Sequence, residues 1–364
     1  MTTTPAPDEP PGTTMTDEEY GNLRASAALW AGTSVLITNV LGKVLIQHVD
    51  YRDTCLLPGG AVDKGESPAD AAGRELVEEL GIVVRIDRGL AVDWVSTDTV
   101  NAPAVMRFPG ELLHVFDGGT WDDDRIAEIR LPPSEITGIE FVEPARLPDL
   151  LSPADARRAL SALRARINAA GTVLLENGHP IAPSVLDRLA VLQTARPTYR
   201  YPWKQGPAPH ELALAQVWAW LFAPDGRVLV LLEPGTGTAF LPGGTPEKQD
   251  RGDPVSTLRR EANEEAAVQL ESPLLLGHVT DPPVRRAYLR YAAALTSVGT
   301  AAPDPATGHT YTRILASPEQ ATELFDWGPS SAEQLAAVHQ ARRQLGLPRA
   351  ALQPITELTS VGRR

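Results

Sequence analysis

Residues 60–82 read GAVDKGESPADAAGRELVEELGI, a short loop feeding a helix. Helical positions three and four apart share a face, so Glu75, Glu78 and Glu79 project together with Arg74 one turn from Glu78. Ser67 is placed to cap the N-terminus, Pro68 suits the first helical position, Asp70 has capping-box spacing, and Gly81 supplies the stop. Three like charges on one face are costly unless a cation sits among them. Ligands that are all oxygen favour Mg²⁺ or Mn²⁺ over zinc. The first expectation is a hard-metal site.

Upstream, Pro58, Gly59 and Gly60 allow a tight loop and close approach of backbone to a ligand. Apolar, β-branched runs at 30–38 and 43–49, separated by 39–42, signal a hairpin. Downstream, strands are expected over 83–95, 111–116 and 136–142, giving mixed α/β order without a doubly wound repeat. Residues 152–168 carry Leu160, Leu163 and Ile167 at helical spacing and are expected to close a first domain. A short strand at 172–175 and a helix at 184–192 lead to RPTYRYPW at 196–203. Base stacking is one reading of these aromatics beside Arg200 and Lys204; interdomain packing is favoured, since aromatics dominate interfaces.

The pattern then restarts. Asp225-Gly226-Arg227-Val228 repeats Leu41-Gly42-Lys43-Val44, and Leu241-Pro242-Gly243-Gly244 repeats Leu57-Pro58-Gly59-Gly60, both offset by 184 residues. Arg260, Glu261, Glu264 and Glu265 match Arg74, Glu75, Glu78 and Glu79 at an offset of 186, so the second loop is two residues longer. Duplication of one α/β domain explains this. The expected organisation is a disordered tail at 1–20, domains at 21–170 and 211–345, a connector at 171–210 and a loosely held tail at 346–364, with a last helix near 331–345.

The 364 residues exceed the usual single-domain size, and 43% hydrophobic with 22% charged residues fits two ordinary cores. No apolar run approaches bilayer length and the N-terminus lacks a basic, apolar leader, so no membrane partner is expected. The single Cys55 excludes an internal disulfide framework and fits a reducing cytoplasm. A net charge of −13 argues against a nucleic-acid polymer as partner. The seven histidines show no zinc spacing. Arg285, Arg286 and Arg290 have two readings, phosphate binding or a solvated face with interdomain ion pairs.

With these residues in view, 60–82 resembles the Nudix box. Gly60, Glu66, Arg74, Glu75, Leu76, Glu78, Glu79, Gly81 and Ile82 fill every position of the family pattern. The resemblance covers about 28–150 and again about 216–345. It implies two α/β/α sandwich domains, each with a mixed sheet, and hydrolysis of diphosphate bonds in nucleoside diphosphate derivatives. It further implies Glu78 and Glu79 as Mg²⁺ ligands with the Gly59 carbonyl, Glu75 as ligand or proton acceptor, and Arg74 as the residue orienting the carboxylates. Glu66 would support the loop or a second metal. Glu135 occupies the place where related sequences carry a further acid, with Asp122, Asp123 and Asp124 as runners-up.

The second copy, 244–268, departs from the pattern: Gly252 stands at the place of Glu66, Ala267 at the closing glycine, and Gly308 at the place of Glu135. Asp250 or Asp253 are the candidates to compensate, with Asp253 better explained as a helix cap. Arg260, Glu261, Glu264 and Glu265 remain compatible with a cation, and turnover there is left open. The alternatives are a non-nucleoside substrate such as a prenyl diphosphate, a ligand-sensing module without turnover, or a scaffold, which the full acidic set disfavours. The sequence leaves the substrate and the oligomeric state undetermined.

Overall fold

The computed structural model describes residues 16–25, 29–97, 109–132, 136–194, 201–281, 283–325, 327 and 330–359. The first half contains α1 (Asp17–Ala25), β1 (Trp30–Asn39), β2 (Val44–Val49), α2 (Pro68–Leu80), β3 (Gly89–Val95), β4 (Glu111–Trp121), α3 (Asp123–Ala127) and β5 (Ile136–Val142). It continues with α4 (Leu147–Leu150), α5 (Pro153–Asn168), β6 (Val173–Glu176), β7 (His179–Pro180) and α6 (Val185–Arg188). Among the described residues these strands form one mixed sheet in the order β5-β2-β1-β4-β3-β6-β7. β1 runs antiparallel to β2 and parallel to β4, and β3 and β4 form an antiparallel hairpin.

Alternation along β1 sends Val35 and Ile37 to one face and Leu36 to the other. On the first face, Ala72, Leu76 and Leu80 of α2, spaced by four, pack on Val35, Ile37 and Leu45. Burying Leu76 completely contributes about 2 kcal/mol. The same spacing leaves Glu75 and Glu78 outside this apolar contact, while Glu79 reaches Gln47 of β2. The α2 ends form as the sequence indicates: Ser67 Oγ accepts from the Asp70 amide at 3.1 Å, and Gly81 closes the helix at φ 68°. Asp70 in turn receives the Ser67 hydroxyl at 2.7 Å.

The second half comprises β8 (Trp203–Gln205), β9 (Ala213–Phe222), β10 (Val228–Leu232), β11 (Ala239–Phe240), β12 (Gly243–Gly244), α7 (Pro254–Ala266), β13 (Val268–Asp281), β14 (Arg286–Val298), β15 (Thr312–Ala316), α8 (Pro318–Phe325), α9 (Ser330–Gln344) and β16 (Thr356–Glu357). Its main sheet path is β16-β15-β10-β9-β14-β13-β8. β9 runs antiparallel to β10 and parallel to β14, which is hairpinned to β13, as β1 stands to β2 and β4.

Several expectations are corrected. The first tail gives way to α1, whose Asp17–Ala25 span overlaps residues assigned to disorder; residues 1–15 lie outside the described set. The strand expected from 83 starts at Gly89; Val83 stays exposed while Val84 and Ile86 pack below. The helix expected over 184–192 is one turn, because Ala190 and Leu192 adopt positive φ. The stretch assigned to a connector places β6 and β7 in the first sheet and β8 in the second. Its Tyr199 lies outside the described residues, and Tyr201 stacks on Tyr288 at 5.5 Å, within the second half. The final segment is held: Ile355 is buried and β16 pairs with β15.

The helix expected to close the first domain, α5, is instead a shared partition. Leu160 and Leu163 lie in one continuous core with Leu36 and Leu90 of the first sheet and Trp220 and Phe222 of the second. Its polar side chains are buried with partners: Arg158 Nε donates to Asp93 at 2.8 Å and Arg164 Nε to the Val191 carbonyl at 2.8 Å. Asn168 Oδ1 accepts from the Ile355 amide at 2.7 Å, and Gln320 Nε2 donates to the Ile167 carbonyl at 3.0 Å. Among the described residues no helix is long and apolar enough to cross a membrane.

Candidate active site

The loop after β2 crosses β1 before entering α2, and two glycines permit it. Gly59 has φ 140°, and a Cβ there would lie 2.2 Å from the Thr33 carbonyl oxygen. A Cβ on Gly60 would lie 2.3 Å from Glu75 Oε1. Glycine at 60 therefore makes the space in which the Glu75 carboxylate sits.

Arg74 organises the acids. Its Nε and Nη2 make a fork onto Glu66, both at 3.1 Å; Nη2 also donates to the Ala61 carbonyl at 2.9 Å. Nη1 donates to Glu75 at 3.0 Å and to Glu78 at 2.8 Å. The cation that the crowded face requires is thus supplied in part by the chain itself. Arg74's hydrogen bonds hold Glu66 below the usual carboxylate range. Burial pushes Glu75 above that range despite the neighbouring guanidinium.

Glu79 is held from the other side. Its Oε2 accepts from the Gly59 amide at 2.9 Å and from Gln47 Nε2 at 3.0 Å. Gln47 escaped the sequence reading, although a carboxamide in the apolar run VLIQHV was a signal, since a buried polar side chain needs a reason. The Pro58 and Gly60 carbonyls accept from Val35 and Thr33, whereas the Gly59 carbonyl accepts no hydrogen bond among the described residues.

Glu75, Glu78, Glu79 and the Gly59 carbonyl offer only oxygen donors, the ligand type that a hard divalent cation takes. As they stand, no three His, Cys, Asp or Glu side chains among the described residues meet at metal-binding spacing. Glu135 lies outside the described residues. Asp122 caps α3 by accepting from the Arg125 amide at 2.9 Å, and Asp123 and Asp124 are exposed on its first turn.

The second acidic face repeats much of this geometry. Arg260 Nε and Nη2 fork onto Asp250 at 3.1 and 3.0 Å, Nη2 donates to the Thr245 carbonyl at 2.9 Å, and Nη1 to Glu264 at 2.8 Å. A further contact joins Arg260 to Glu261 at 3.0 Å. Asp250 thus occupies the role that Glu66 has beside Arg74, while Asp253 caps α7. Glu265 accepts from the Gly243 amide at 2.9 Å, but the strand position equivalent to Gln47 is the buried Leu231. Burial dominates there and pushes Glu265 up to about 8. Asp304, also missed in the sequence, is buried in the loop 301–309; burial raises Glu261 as it does Glu265, and the Asp304 charge adds to both.

A family profile described as the NUDIX domain matches residues 29–163. An RNA pyrophosphohydrolase of Azorhizobium caulinodans is 44% identical over 52 residues, 14% of this chain and 31% of that one. The chain therefore spans about a third of that relative's length. A putative 8-oxo-dGTP diphosphatase of Bacillus subtilis is 32% identical over 124 residues, 34% of this chain and 72% of that one. Among solved structures, an ADP-ribose pyrophosphatase from Streptococcus suis has 21% identity over 40% of this chain and 98% of that one, with a TM-score of 0.30. On the profile match and the B. subtilis relative, covered over more than two thirds of its length, the chain belongs to the Nudix hydrolase family.

Proposed function

We propose that the first half hydrolyses a diphosphate bond in a nucleoside diphosphate derivative, using Mg²⁺ or Mn²⁺. The observation that carries this reading is the Arg74 clamp, which gathers Glu66, Glu75 and Glu78 on one side of the loop while Gly59 and Gln47 fix Glu79 on the other. Glu78, Glu79 and the Gly59 carbonyl would hold the metal, with Glu75 as a further ligand or the acceptor of the attacking water's proton. Once bound, such an ion offsets charge on phosphate oxygens and eases ionisation of water. Arg74 orients the carboxylates. Glu75, whose proton affinity burial raises, is suited to proton transfer nearer neutrality than an exposed glutamate. Glu66 anchors the loop through Arg74, and Glu135 is the candidate further acid.

In the same reading the chain is a tandem of two Nudix-like domains, one built on the sheet of β1 to β7 and one on the sheet of β8 to β16, of which the second is divergent. The matching strand pairing and the Arg260 contacts support it. The Glu265 carboxyl, protonated in large part at neutral pH, favours turnover in the first domain rather than the second. The relative named an RNA pyrophosphohydrolase supports a second reading in which the diphosphate belongs to an RNA. The net charge of −13 favours the small-molecule substrate. A phosphate-release screen over nucleoside diphosphate derivatives, capped or phosphorylated RNA and prenyl diphosphates, with Mg²⁺ or EDTA, tests this. Mg²⁺-dependent release from the nucleoside compounds is expected; no release from any substrate by folded protein would reject the reading.

A further inference from the structure

A polar row crosses the first sheet beside the acidic site. Residues 58–62 run along β1, where the Thr33 amide donates to the Gly60 carbonyl at 2.8 Å and Gly32 bridges Ala61. The open side of Gly60 faces Glu75, whose Oε1 and Oε2 lie 2.3 and 3.0 Å from the place of a Cβ. Thr33, two residues before Val35, points to the same α2 face. In register with Thr33 on parallel β4 stands His114, whose ring stacks on Phe116 at 6.2 Å, and Phe116 also packs on that face. The Glu75 carboxylate above Gly60, then Thr33, then His114 thus follow one another across the sheet at steps of about 4.8 Å.

Two members of this row are orphaned. Among the described residues, Thr33 Oγ1 and His114 Nδ1 are both buried and without a hydrogen-bond partner, which is costly in a packed interior. Packing does not require them. A Cβ on Gly59 would meet the Thr33 carbonyl and one on Gly243 the Val217 carbonyl, so Thr33 and Val217 correspond. Thr33 is in register with His114, and Val217 with Leu289. The second half therefore fills the same two places with valine and leucine, both in its apolar core, although Gly244 faces Glu261 there as Gly60 faces Glu75.

The three groups complement one another. A carboxylate accepts, a hydroxyl accepts and donates, and a neutral imidazole donates through one nitrogen. Glu75 Oε1 already accepts from Arg74 at 3.0 Å, and a second donor from the sheet side would fix the plane of the carboxylate. Rotation of the two side chains closes the chain, in the way that catalytic hydrogen bonds tighten when a site is loaded.

We propose that Thr33 and His114 are positioning residues for Glu75, with His114 Nδ1–H donating to Thr33 Oγ1 and the Thr33 hydroxyl donating to the Glu75 carboxylate. Their part in turnover rests on the hydrolytic reading of the first half, whereas the chain of hydrogen bonds is observable without turnover. The first measurement is kcat and KM for Mg²⁺-dependent phosphate release, with unfolding midpoints, for wild type, Thr33→Val, His114→Leu, Thr33→Val/His114→Leu and Thr33→Ser. Substitution by the second half's residues should lower kcat by about tenfold or more with KM within about threefold, and the pair should lose little more than either alone, since one break opens the chain. The midpoint of the double variant should stay level or rise, because orphaned polar atoms give way to apolar ones. Thr33→Ser keeps the hydroxyl and should recover most of kcat. The second measurement is ¹⁵N NMR of the histidines in EDTA above about pH 8, where imidazoles are neutral, with His114 assigned through His114→Leu. The Nδ1–H tautomer is expected, and Glu75→Gln should shift its signal through Thr33. Full kcat in folded Thr33→Val/His114→Leu, additive losses with a fallen midpoint, or an Nε2–H tautomer indifferent to Glu75→Gln would overturn the proposal. No release by wild type with the tautomer response intact would instead reject hydrolysis and support the chain.

Discussion

Gln47 donates a 3.0 Å hydrogen bond to Glu79, and at the equivalent place beside Glu265 the strand carries Leu231. One carboxamide thus gives the half-buried Glu79 a side-chain donor that Leu231 cannot give Glu265. Charge-assisted bonds of this kind contribute about 1.5 to 3 kcal/mol. Gln47→Leu is expected to shift the acid limb of the pH–rate profile upward and to raise the Mg²⁺ concentration needed for half-maximal turnover. An unaltered profile in the folded variant would show that Gln47 does not tune Glu79.

Glu265 predicts an opposite slope of stability with pH from that of an ion-paired acid. Its pKa is about 8 in the folded chain, above the ordinary glutamate value that holds when unfolded. The folded state therefore binds the extra proton between these values, and the stability this confers is complete below pH 4 and lost as pH rises through about 8. Denaturant unfolding from pH 5 to 9 should show a decline of a few kcal/mol that Glu265→Gln largely removes. Parallel curves for the two proteins would place the Glu265 carboxyl in water.

Gly60→Ala addresses the geometry of Glu75 directly. The new methyl would need the position 2.3 Å from Glu75 Oε1, so either that carboxylate or the loop must move. Turnover should fall about a hundredfold or more, since displacement of a catalytic group by an ångström has that effect. Stability should change by no more than about 3 kcal/mol, because the neighbour is the end of a side chain. Wild-type kcat with an unchanged KM would remove Glu75 from the chemistry.

Much of this site was legible in the sequence because it is local. Residues 60–82 fix a loop, a capped helix and the spacing of its acids by short-range rules, and the structure forms them at those positions. Arg74's reach to Glu66 follows from the same stretch. What escaped depends on contacts distant in sequence. Gln47 matters only because β2 passes beneath Glu79. The central place of α5 was hidden for the same reason. Its Ala-rich pattern announces a helix, while its burial on all sides arises from two sheets meeting around it.

That shared core makes the halves interdependent. Asn168→Ala would leave the buried Ile355 amide without its 2.7 Å acceptor, a loss of about 1 to 3 kcal/mol. Because α5 packs against both sheets, unfolding should remain a single transition with a lower midpoint. Two resolved transitions by calorimetry would mean that the halves melt separately.

The most direct measurement is Mg²⁺-dependent phosphate release by wild type, Glu78→Gln/Glu79→Gln and Glu264→Gln/Glu265→Gln, each verified as folded, on the best nucleoside diphosphate derivative from the screen. Loss of at least about a thousandfold in the first pair, with less than about threefold change in the second, is the expected result for metal-assisted chemistry confined to the first half. Full activity in Glu78→Gln/Glu79→Gln, or its loss only in Glu264→Gln/Glu265→Gln, would contradict it.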